Sequence, residues 1–260
     1  MPSVLHHRSI VTLVAALGFA VFASAALAKA DIPKAVAAAV ADPARPQADR
    51  DRDADRKPAE CIAFAGLKPG QRIADLLPGG GYFTRIFSAV VGPKGEVIAV
   101  APTKRPDAPA DRPEPAAAVR AIAADEHYKN INVSVVKLVE LKLPEKLDMV
   151  WTSQNYHDVH NVQGIDVGAF NKAVFDSLKP GGTYIVIDHA TEKGAGFTAT
   201  STLHRADPEA VKAEVMAAGF EFVGSSDVIA SSTDDHTQKV FEQGLRDKTD
   251  RFLLKFRKPK

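Results

Sequence analysis

Cysteine and net charge are both scarce in this chain of 260 residues, and each shortage excludes a class of protein. Cys61 is the single cysteine, so neither an internal disulfide nor a zinc site made of several thiolates can form. The formal net charge is only +1, which is too balanced for a protein that binds nucleic acid or an anionic membrane through its charge. We therefore expect no nucleic-acid partner, and we interpret Cys61 as a packed core thiol.

The apolar stretch near the N-terminus is too short to span a bilayer. Arg8 precedes the uncharged run Ile10–Phe22, and Ala26-Leu27-Ala28 has the small-x-small pattern that signal peptidases cut. These features predict a signal peptide over residues 1–28, cleaved after Ala28, and a periplasmic or secreted protein with no stable membrane association. The alternative is an uncleaved membrane anchor. Arg8 is the only charged residue that cleavage would remove, so the mature chain would carry no formal net charge.

Residues 29–56 are predicted to form an N-terminal helix and a charged linker. Asp31-Ile32-Pro33 is typical of a helix start with proline in the first turn. From Asp42 to Arg56 the chain is almost wholly Asp, Arg, Ala and Pro, a composition that cannot build an apolar core. We favour a solvated linker here over an ion-paired lid, and we place a single domain over residues 57–260.

Within this domain, apolar segments of strand and helix type alternate, which is typical of helices covering a largely parallel sheet. Pro58 is predicted to begin a helix that ends at Ala65. The patterns predict seven strands, at 72–77, 96–101, 132–137, 147–152, 183–189, 221–229 and 251–257. They predict further helices at 82–91, 115–124, 167–177 and 208–218. The expected fold class is therefore α/β, Rossmann-like, with helices on both faces of the sheet.

Three consecutive glycines, Gly79, Gly80 and Gly81, lie between the first predicted strand and its helix. Without Cβ atoms a ligand can approach the backbone, and the first N–H groups of the helix are unpaired. Tyr82-Phe83 stands where a phosphate-binding P-loop has Lys-Ser/Thr, and Thr84-Arg85 stands where the dinucleotide fingerprint has its last glycine. The glycines therefore predict a site for a different nucleotide, or alternatively a tight turn without a ligand.

The spacing Asp75-x-x-x-Gly79-x-Gly81 resembles the first motif of the class I S-adenosylmethionine-dependent methyltransferases, with Leu77 at the position of its first glycine. The resemblance implies S-adenosylmethionine as the cofactor. It also implies cofactor contacts from the following residues: Asp75, Gly79, Gly80, Gly81, Tyr82 and Asn155. For Asp75 the alternative is a structural role, in which its carboxylate anchors the turn.

Two later segments and the end of the chain extend this resemblance over residues 57–258. Leu178–Asp188 is similar to the helix-turn-strand that enters the fifth strand of that family, and Ala217–Val223 is similar to the entrance of the sixth strand. Asp250–Arg257 is similar to the late strand that inserts antiparallel near the sheet edge. The resemblance thus implies a seven-stranded, mostly parallel sheet with an antiparallel C-terminal strand.

The chain departs from the family where the adenosine should bind. Ala101-Pro102 follows the second strand, where many members have an acid that holds the ribose hydroxyls. Glu140 could replace the acid that is missing after the third strand. S-adenosylmethionine is made in the cytosol, which is hard to reconcile with export. An alternative function is therefore a non-catalytic ligand-binding protein that keeps the fold and has lost its adenosine contacts.

Catalytic residues are expected at the carboxyl ends of the central strands, next to the glycines. His157 and Asp158 follow the fourth strand, His189 ends the fifth, and His204 precedes the helix that starts at Pro208. The unperturbed pKa of histidine suits His157 as a general base, and Asp158 could orient it or act as the base. We predict these four residues as the catalytic group, with Arg205 as an anion clamp.

The string Asn155–Asp158 differs from the Asn-Pro-Pro-Tyr of amino-group methylators. We therefore expect a small-molecule acceptor rather than nucleic acid or a protein amide. No pattern in the chain predicts an oligomeric state.

A metal-dependent enzyme is a further alternative, because His157, His160, Asp188 and His189 are ligand types for zinc, iron or manganese. No H-E-x-x-H spacing is present, and neighbours in a strand, such as Asp188 and His189, point to opposite faces. We therefore predict no metal.

Overall fold

The computed structural model describes residues 31–105 and 108–260. The predicted signal peptide lies outside these residues. Across the described ranges, no helix combines the length and the apolar character that a membrane span requires.

The centre of the molecule is a seven-stranded sheet in the order β3-β2-β1-β4-β5-β7-β6. Its strands are β1 (Arg72–Leu76), β2 (Glu96–Pro102), β3 (Ile131–Val136), β4 (Leu147–Ser153), β5 (Leu178–His189), β6 (Glu221–Ser226) and β7 (Arg251–Arg257). Strands β1 to β5 pair in parallel, and β7 is antiparallel to both β5 and β6. The predicted fold class and the antiparallel insertion of the last strand are confirmed.

Helices cover both faces of this sheet. They are α1 (Lys34–Val40), α2 (Gln47–Arg50), α3 (Asp53–Arg56), α4 (Pro58–Ala65), α5 (Tyr82–Val91), α6 (Ala117–Ala123), α7 (Tyr156–Val159), α8 (Val167–Ser177) and α9 (Pro208–Ala217). One apolar core contains residues of α1, α4, α5 and α6, and the other contains residues of α7, α8 and α9. Cys61 is fully buried in the first core, and burial raises the pKa of its thiol to about 12. The interpretation of Cys61 as a core thiol is confirmed.

Side-chain caps set the starts of α8 and α9. Asp166 caps α8 by accepting a hydrogen bond from the backbone N–H of Ala169, and Asp207 caps α9 in the same way through Glu209. Strand β5 begins five residues before the predicted position 183, because residues 179–182 form an irregularity between the pairs Leu147–Leu178 and Met149–Thr183.

The prediction of a solvated linker over residues 42–56 is wrong. This stretch, which we call the arginine segment, contains α2 and α3 and lies against the domain. Arg45 is 1% exposed and donates two hydrogen bonds of 2.8 Å to Asp53. Arg52 donates to both carboxylate oxygens of Asp247, at 2.6 and 2.8 Å. Bidentate ion pairs therefore order a segment that has little apolar surface of its own.

Candidate functional site

The glycine turn, residues 77–81, connects β1 to α5 at the carboxyl edge of the sheet. Leu77, Gly79 and Gly81 have φ angles of 55°, 55° and 78°. This left-handed conformation suits glycine, whereas it costs a leucine about 1–2 kcal/mol. Leu77 stands at the position of the first glycine of the related motif. Its backbone has the conformation that favours glycine there.

Only part of the turn is open to a ligand. Gly79 and Gly80 are exposed, and a Cβ added to either one would meet no atom within 4 Å. At Gly81, an added Cβ would lie 2.2 Å from Cδ1 of Ile122. The absence of a side chain at Gly81 therefore makes room for α6, while the bare backbone of the two preceding glycines faces open space.

Asp75 is buried beneath the turn and contacts α5. Its Oδ2 accepts a 2.6 Å hydrogen bond from the hydroxyl of Thr84. Burial raises the pKa of Asp75 to about 7, against the opposing effects of the Thr84 hydrogen bond and the charge of Arg56. In this structure Asp75 joins β1 to α5 through Thr84, whereas the structural alternative expected backbone hydrogen bonds to the glycine turn, and its contact with a cofactor stays a prediction.

Asn155 joins the turn to the exit of β4. Its side-chain N–H donates to the carbonyl oxygens of Leu77, at 2.9 Å, and Leu76, at 3.3 Å, while its Oδ1 accepts from the hydroxyl of Thr152. These bonds hold the residue before α7 directly against the glycine turn. The predicted cofactor contact of Asn155 stays a prediction, and the role that the structure shows is positional.

Tyr82, at the start of α5, lies beneath the arginine segment. Its hydroxyl donates a 2.6 Å hydrogen bond to Asp53. The guanidinium carbon of Arg56 lies 4.3 Å from the centre of its ring, and those of Arg45 and Arg52 lie at 5.4 and 5.7 Å, within cation–π range. Tyr82 is thus covered by cations, and its predicted contact with a cofactor stays a prediction.

A narrow cavity, with no space that a water molecule could occupy, lies between α5, the exit of β4 and the arginine segment. It is lined by Arg56, Phe83, Ser153, Gln154, Ile187, Ile229 and Arg251. Pockets for small molecules usually have about 300–1,000 Å³. Arg56 limits the space, because its Nη1 donates to Gln154 at 2.7 Å and to Asp247 at 3.0 Å. None of the lining residues belongs to the glycine turn, and a nucleoside could enter this cavity only if the Arg56 side chain moved.

A larger groove, with a volume of about 610 Å³, lies near the amino ends of β2 and β3 and is lined by residues that include Gly92, His127 and Asn130. In open α/β sheets, ligands bind at the carboxyl ends of the strands. The groove is therefore not our candidate site.

The histidine cluster consists of His157, Asp158, His189 and His204, the four predicted catalytic residues, and the structure brings them together. The ring centre of His157 lies 5.4 Å from that of His204 and 6.0 Å from that of His189. Nε2 of His157 lies 3.3 Å from Oδ1 of Asp158, and Nδ1 of His204 lies 3.5 Å from the same oxygen. Three separate segments thus meet at the carboxyl edge of β4 and β5.

Asp188 fixes the orientation of His157. It is fully buried, and its Oδ1 lies 2.8 Å from Nδ1 of the His157 ring. The backbone N–H groups of His157 and His189 also donate to this carboxylate, at 2.7 and 2.8 Å. Sequence reasoning did not predict this role, although the position of Asp188 at the end of β5 was a usable signal.

The environment changes the charge of both buried imidazoles. Burial would lower the pKa of His157, but the carboxylates of Asp188 and Asp158 outweigh it and raise this pKa to about 10. Burial lowers the pKa of His189 to about 3, and its Nδ1 lies 2.7 Å from the hydroxyl of Thr249. His157 therefore does not have the ordinary pKa that its predicted role as a base assumes, because two carboxylates flank it.

Two residues named from the sequence, His160 and Arg205, make their contacts outside the histidine cluster. His160 pairs with Glu214 at 3.0 Å and stacks on Phe197, so the metal set that included it is not assembled. Arg205 is fully buried and donates to both oxygens of Asp234, at 2.7 and 3.0 Å. Its predicted role as an anion clamp is wrong, because its guanidinium already pairs with a carboxylate.

The fold described above is similar to that of solved S-adenosylmethionine-dependent methyltransferases. No protein-family model matches the chain, and no curated protein matches it in sequence. Among solved structures it is similar to an S-adenosylmethionine-dependent methyltransferase from Aquifex aeolicus (17% identity, TM-score 0.53), with 78% of this chain and 89% of that chain covered. A second such enzyme, from Mesorhizobium loti, has 16% identity and a TM-score of 0.53, with 76% and 95% covered.

A third similar structure is named for a different reaction. The [4+2]-cyclase SpnF shares 16% identity with the chain at a TM-score of 0.56, with 79% of this chain and 81% of that chain covered. Similarities at this level of identity show the fold, and one fold can host several functions. The chemistry of this protein has to be inferred from its own residues.

Proposed function

We propose that this protein transfers a methyl group from S-adenosylmethionine to a small-molecule acceptor. The observation that carries the proposal is the link through Asn155, which holds the open glycine turn against the segment that bears His157 and Asp158. A donor bound at the turn and an acceptor bound at the histidine cluster would be neighbours. Placing two reactants side by side is a large part of the catalysis of such transfers.

The donor side would use the backbone of Gly79 and Gly80 and the N-terminal N–H groups of α5. When bound, S-adenosylmethionine supplies an electrophilic methyl group on a sulfonium sulfur. Arg56 is our candidate for its carboxylate, because it lines the cavity, is 7% exposed and holds Asp247 through a single 3.0 Å hydrogen bond, whereas the fully buried Arg205 pairs with both oxygens of Asp234. Arginine binds carboxylates through two parallel hydrogen bonds.

The acceptor side would be the histidine cluster. Asp158 is 48% exposed and His204 is 27% exposed, whereas His157 and His189 are buried. The two accessible side chains would meet the acceptor, and the buried pair would hold them in place. Phe241 adds an exposed aromatic ring 4.8 Å from the ring centre of His204, which favours an acceptor with an apolar part.

The alternative, a binding protein without turnover, is supported by Ala101. This residue is buried at the end of β2 and offers no polar side chain to a ribose. Binding of the donor without formation of its demethylated product, across a range of small hydroxyl, thiol and amine compounds, would favour this alternative.

Donor binding can be tested by thermal unfolding with S-adenosylmethionine and its demethylated product. A ligand at 100 times its Kd stabilises a protein by about 2.7 kcal/mol. We expect stabilisation of the wild type and its loss in Gly80→Val, which places a branched side chain on the open backbone. Ala89→Val is the matched control, because Ala89 is exposed on α5, the helix that follows the turn. This variant should respond like the wild type. No response to either compound in the wild type would refute the proposal.

We also propose that the protein is exported through the signal peptide predicted over residues 1–28. A fusion to a reporter that is active only in the periplasm tests this. Activity of the fusion that disappears when residues 1–28 are removed is the expected result, and an inactive full-length fusion would contradict export.

A further inference from the structure

Three side-chain donor atoms of the histidine cluster have the spacing of metal ligands. Asp158 Oδ1 lies 3.3 Å from His157 Nε2 and 3.5 Å from His204 Nδ1, and the three residues offer ligand atoms that all lie within 4.8 Å of one another. Zinc bonds to imidazole and carboxylate of about 2.0–2.2 Å place neighbouring tetrahedral ligands about 3.3–3.6 Å apart. Two of the separations therefore match edges of a zinc coordination tetrahedron.

Both imidazole atoms also lack another partner. His157 Nε2 and His204 Nδ1 are buried and make no hydrogen bond among the described residues, and the side chain of His157 is 1% exposed. Buried polar atoms nearly always have a hydrogen-bond partner. Both nitrogens face one carboxylate oxygen at 3.3 and 3.5 Å, an ion-pair arrangement in which a bound ion could take the place of the ring protons.

The surroundings of His157 fit a ligand as well. Its Nδ1 pairs with the buried carboxylate of Asp188, and Asp188 is itself held by two backbone N–H groups. A metal-bound histidine almost always donates its other ring N–H to such a group, which fixes the ring and leaves Nε2 as the ligand atom. Asp188 would therefore orient the ligand rather than bind the ion.

We propose that His157, Asp158 and His204 bind a divalent transition-metal ion, with zinc the best match. The donor set of two imidazoles and one carboxylate suits this ion. The partial exposure of Asp158 and His204 leaves the fourth position open to water or to an anionic ligand, as in zinc sites that take part in catalysis. This proposal differs from the sequence prediction of no metal, and it does not depend on the proposed methyl transfer.

Zinc binding to the full chain, freed of metal by a chelator and carrying no histidine tag, tests the proposal. Titration against a chromogenic zinc chelator should give one high-affinity ion per chain. His204→Ala should weaken binding at least about ten-fold, since it removes a direct ligand. His160→Ala is the matched control, because His160 is a neighbouring histidine that pairs with Glu214, and it should bind like the wild type.

Cobalt adds a readout of geometry. Cobalt(II) in the same protein should give the intense visible absorption of a tetrahedral site in the wild type and in His160→Ala, and should lose it in His204→Ala. His204 is partly exposed, so its loss should leave the fold intact, as unchanged circular dichroism would verify. The absence of a high-affinity zinc ion in the wild type, or equal binding by the two variants, would overturn the proposal. Neither result would affect donor binding at the glycine turn.

Discussion

The glycine turn and the histidine cluster lie at the same edge of the sheet, but their polar atoms are used differently. Around the turn, the side chains of Asp75, Asn155 and Tyr82 all have partners within the protein, and what stays open is the backbone of two glycines. In the cluster, Nε2 of His157 and Nδ1 of His204 face the carboxylate of Asp158 and make no hydrogen bond among the described residues. The first region would bind a ligand through its main chain and the second through its side chains.

This difference predicts which property, stability or ligand binding, changes first when each region is mutated. Side-chain substitutions around the turn should change stability first, because they break contacts within the protein. Side-chain substitutions in the cluster should change binding first. The three predictions that follow test the turn side of this comparison, from the largest expected effect to the smallest.

Asp75→Asn should change how stability depends on pH. The folded-state pKa of Asp75 is about 7, above the ordinary value of 3.8, because of burial. Its stabilising effect is therefore complete below about pH 4 and is lost as the pH rises through 7. An amide at this position carries no charge. Between about pH 4 and pH 8, the free energy of unfolding of the variant should therefore rise relative to that of the wild type by at most about 4 kcal/mol.

The measurement is urea unfolding at a series of pH values. Asp176→Asn is the control, because Asp176 is exposed on α8 and pairs only with the surface residue Lys172 among the described residues, so its loss should change the free energy of unfolding by about 0.5 kcal/mol or less. Zinc binding at the cluster should be unchanged in Asp75→Asn. A pH-independent difference between Asp75→Asn and the wild type would show that Asp75 has an ordinary pKa.

Gly81→Val should destabilise the fold by about 2–4 kcal/mol. An added Cβ meets Ile122 at 2.2 Å, and the φ of 78° is unfavourable for valine. Gly80→Val, which meets no atom within 4 Å, should stay within about 0.5 kcal/mol of the wild type, as surface substitutions usually do. Unfolding by urea compares the two. Equal stabilities of the two variants would mean that Gly81 is no more important for the fold than the exposed Gly80.

Sequence reasoning succeeded where the signals are local. The predicted bounds of α5 and α8 agree with the structure, because glycines precede α5 and Asp166 caps α8. The convergence of the four cluster residues was predicted as well, because the carboxyl ends of parallel strands share one edge of the sheet. The bounds of β1 and β2 differ from the prediction by one residue at their ends.

Contacts between distant residues account for the failures. The arginine segment is ordered by Arg52 and Arg56 on Asp247, which lies 195 and 191 residues further along the chain. No spacing in the sequence predicts such a pair. The charge of His157 depends on the buried carboxylate of Asp188, and the ligand set of the cluster depends on the docking of α7. These are properties of the packed molecule rather than of any one segment.

Arg52→Ala tests whether the arginine segment controls access to the turn. Arg52 is 28% exposed, and its ion pair with Asp247 closes the segment over Tyr82. A partly exposed bidentate pair contributes about 1 kcal/mol or less, so global stability should change little while local opening of residues 42–56 increases. Hydrogen exchange should therefore be faster in this segment and unchanged in α8.

Arg50→Ala is the control for this experiment, since Arg50 lies in the same segment and, within the part of the chain that the structure describes, its side chain bonds to the neighbouring Gln47. If the cavity beside Arg56 needs this opening to admit the donor, Arg52→Ala should bind S-adenosylmethionine faster than the wild type and Arg50→Ala should not. Zinc binding should be the same in all three proteins, because the histidine cluster makes no contact with Arg52 among the described interactions. Faster exchange without faster binding would mean that the donor reaches the turn by a route that the arginine segment does not cover.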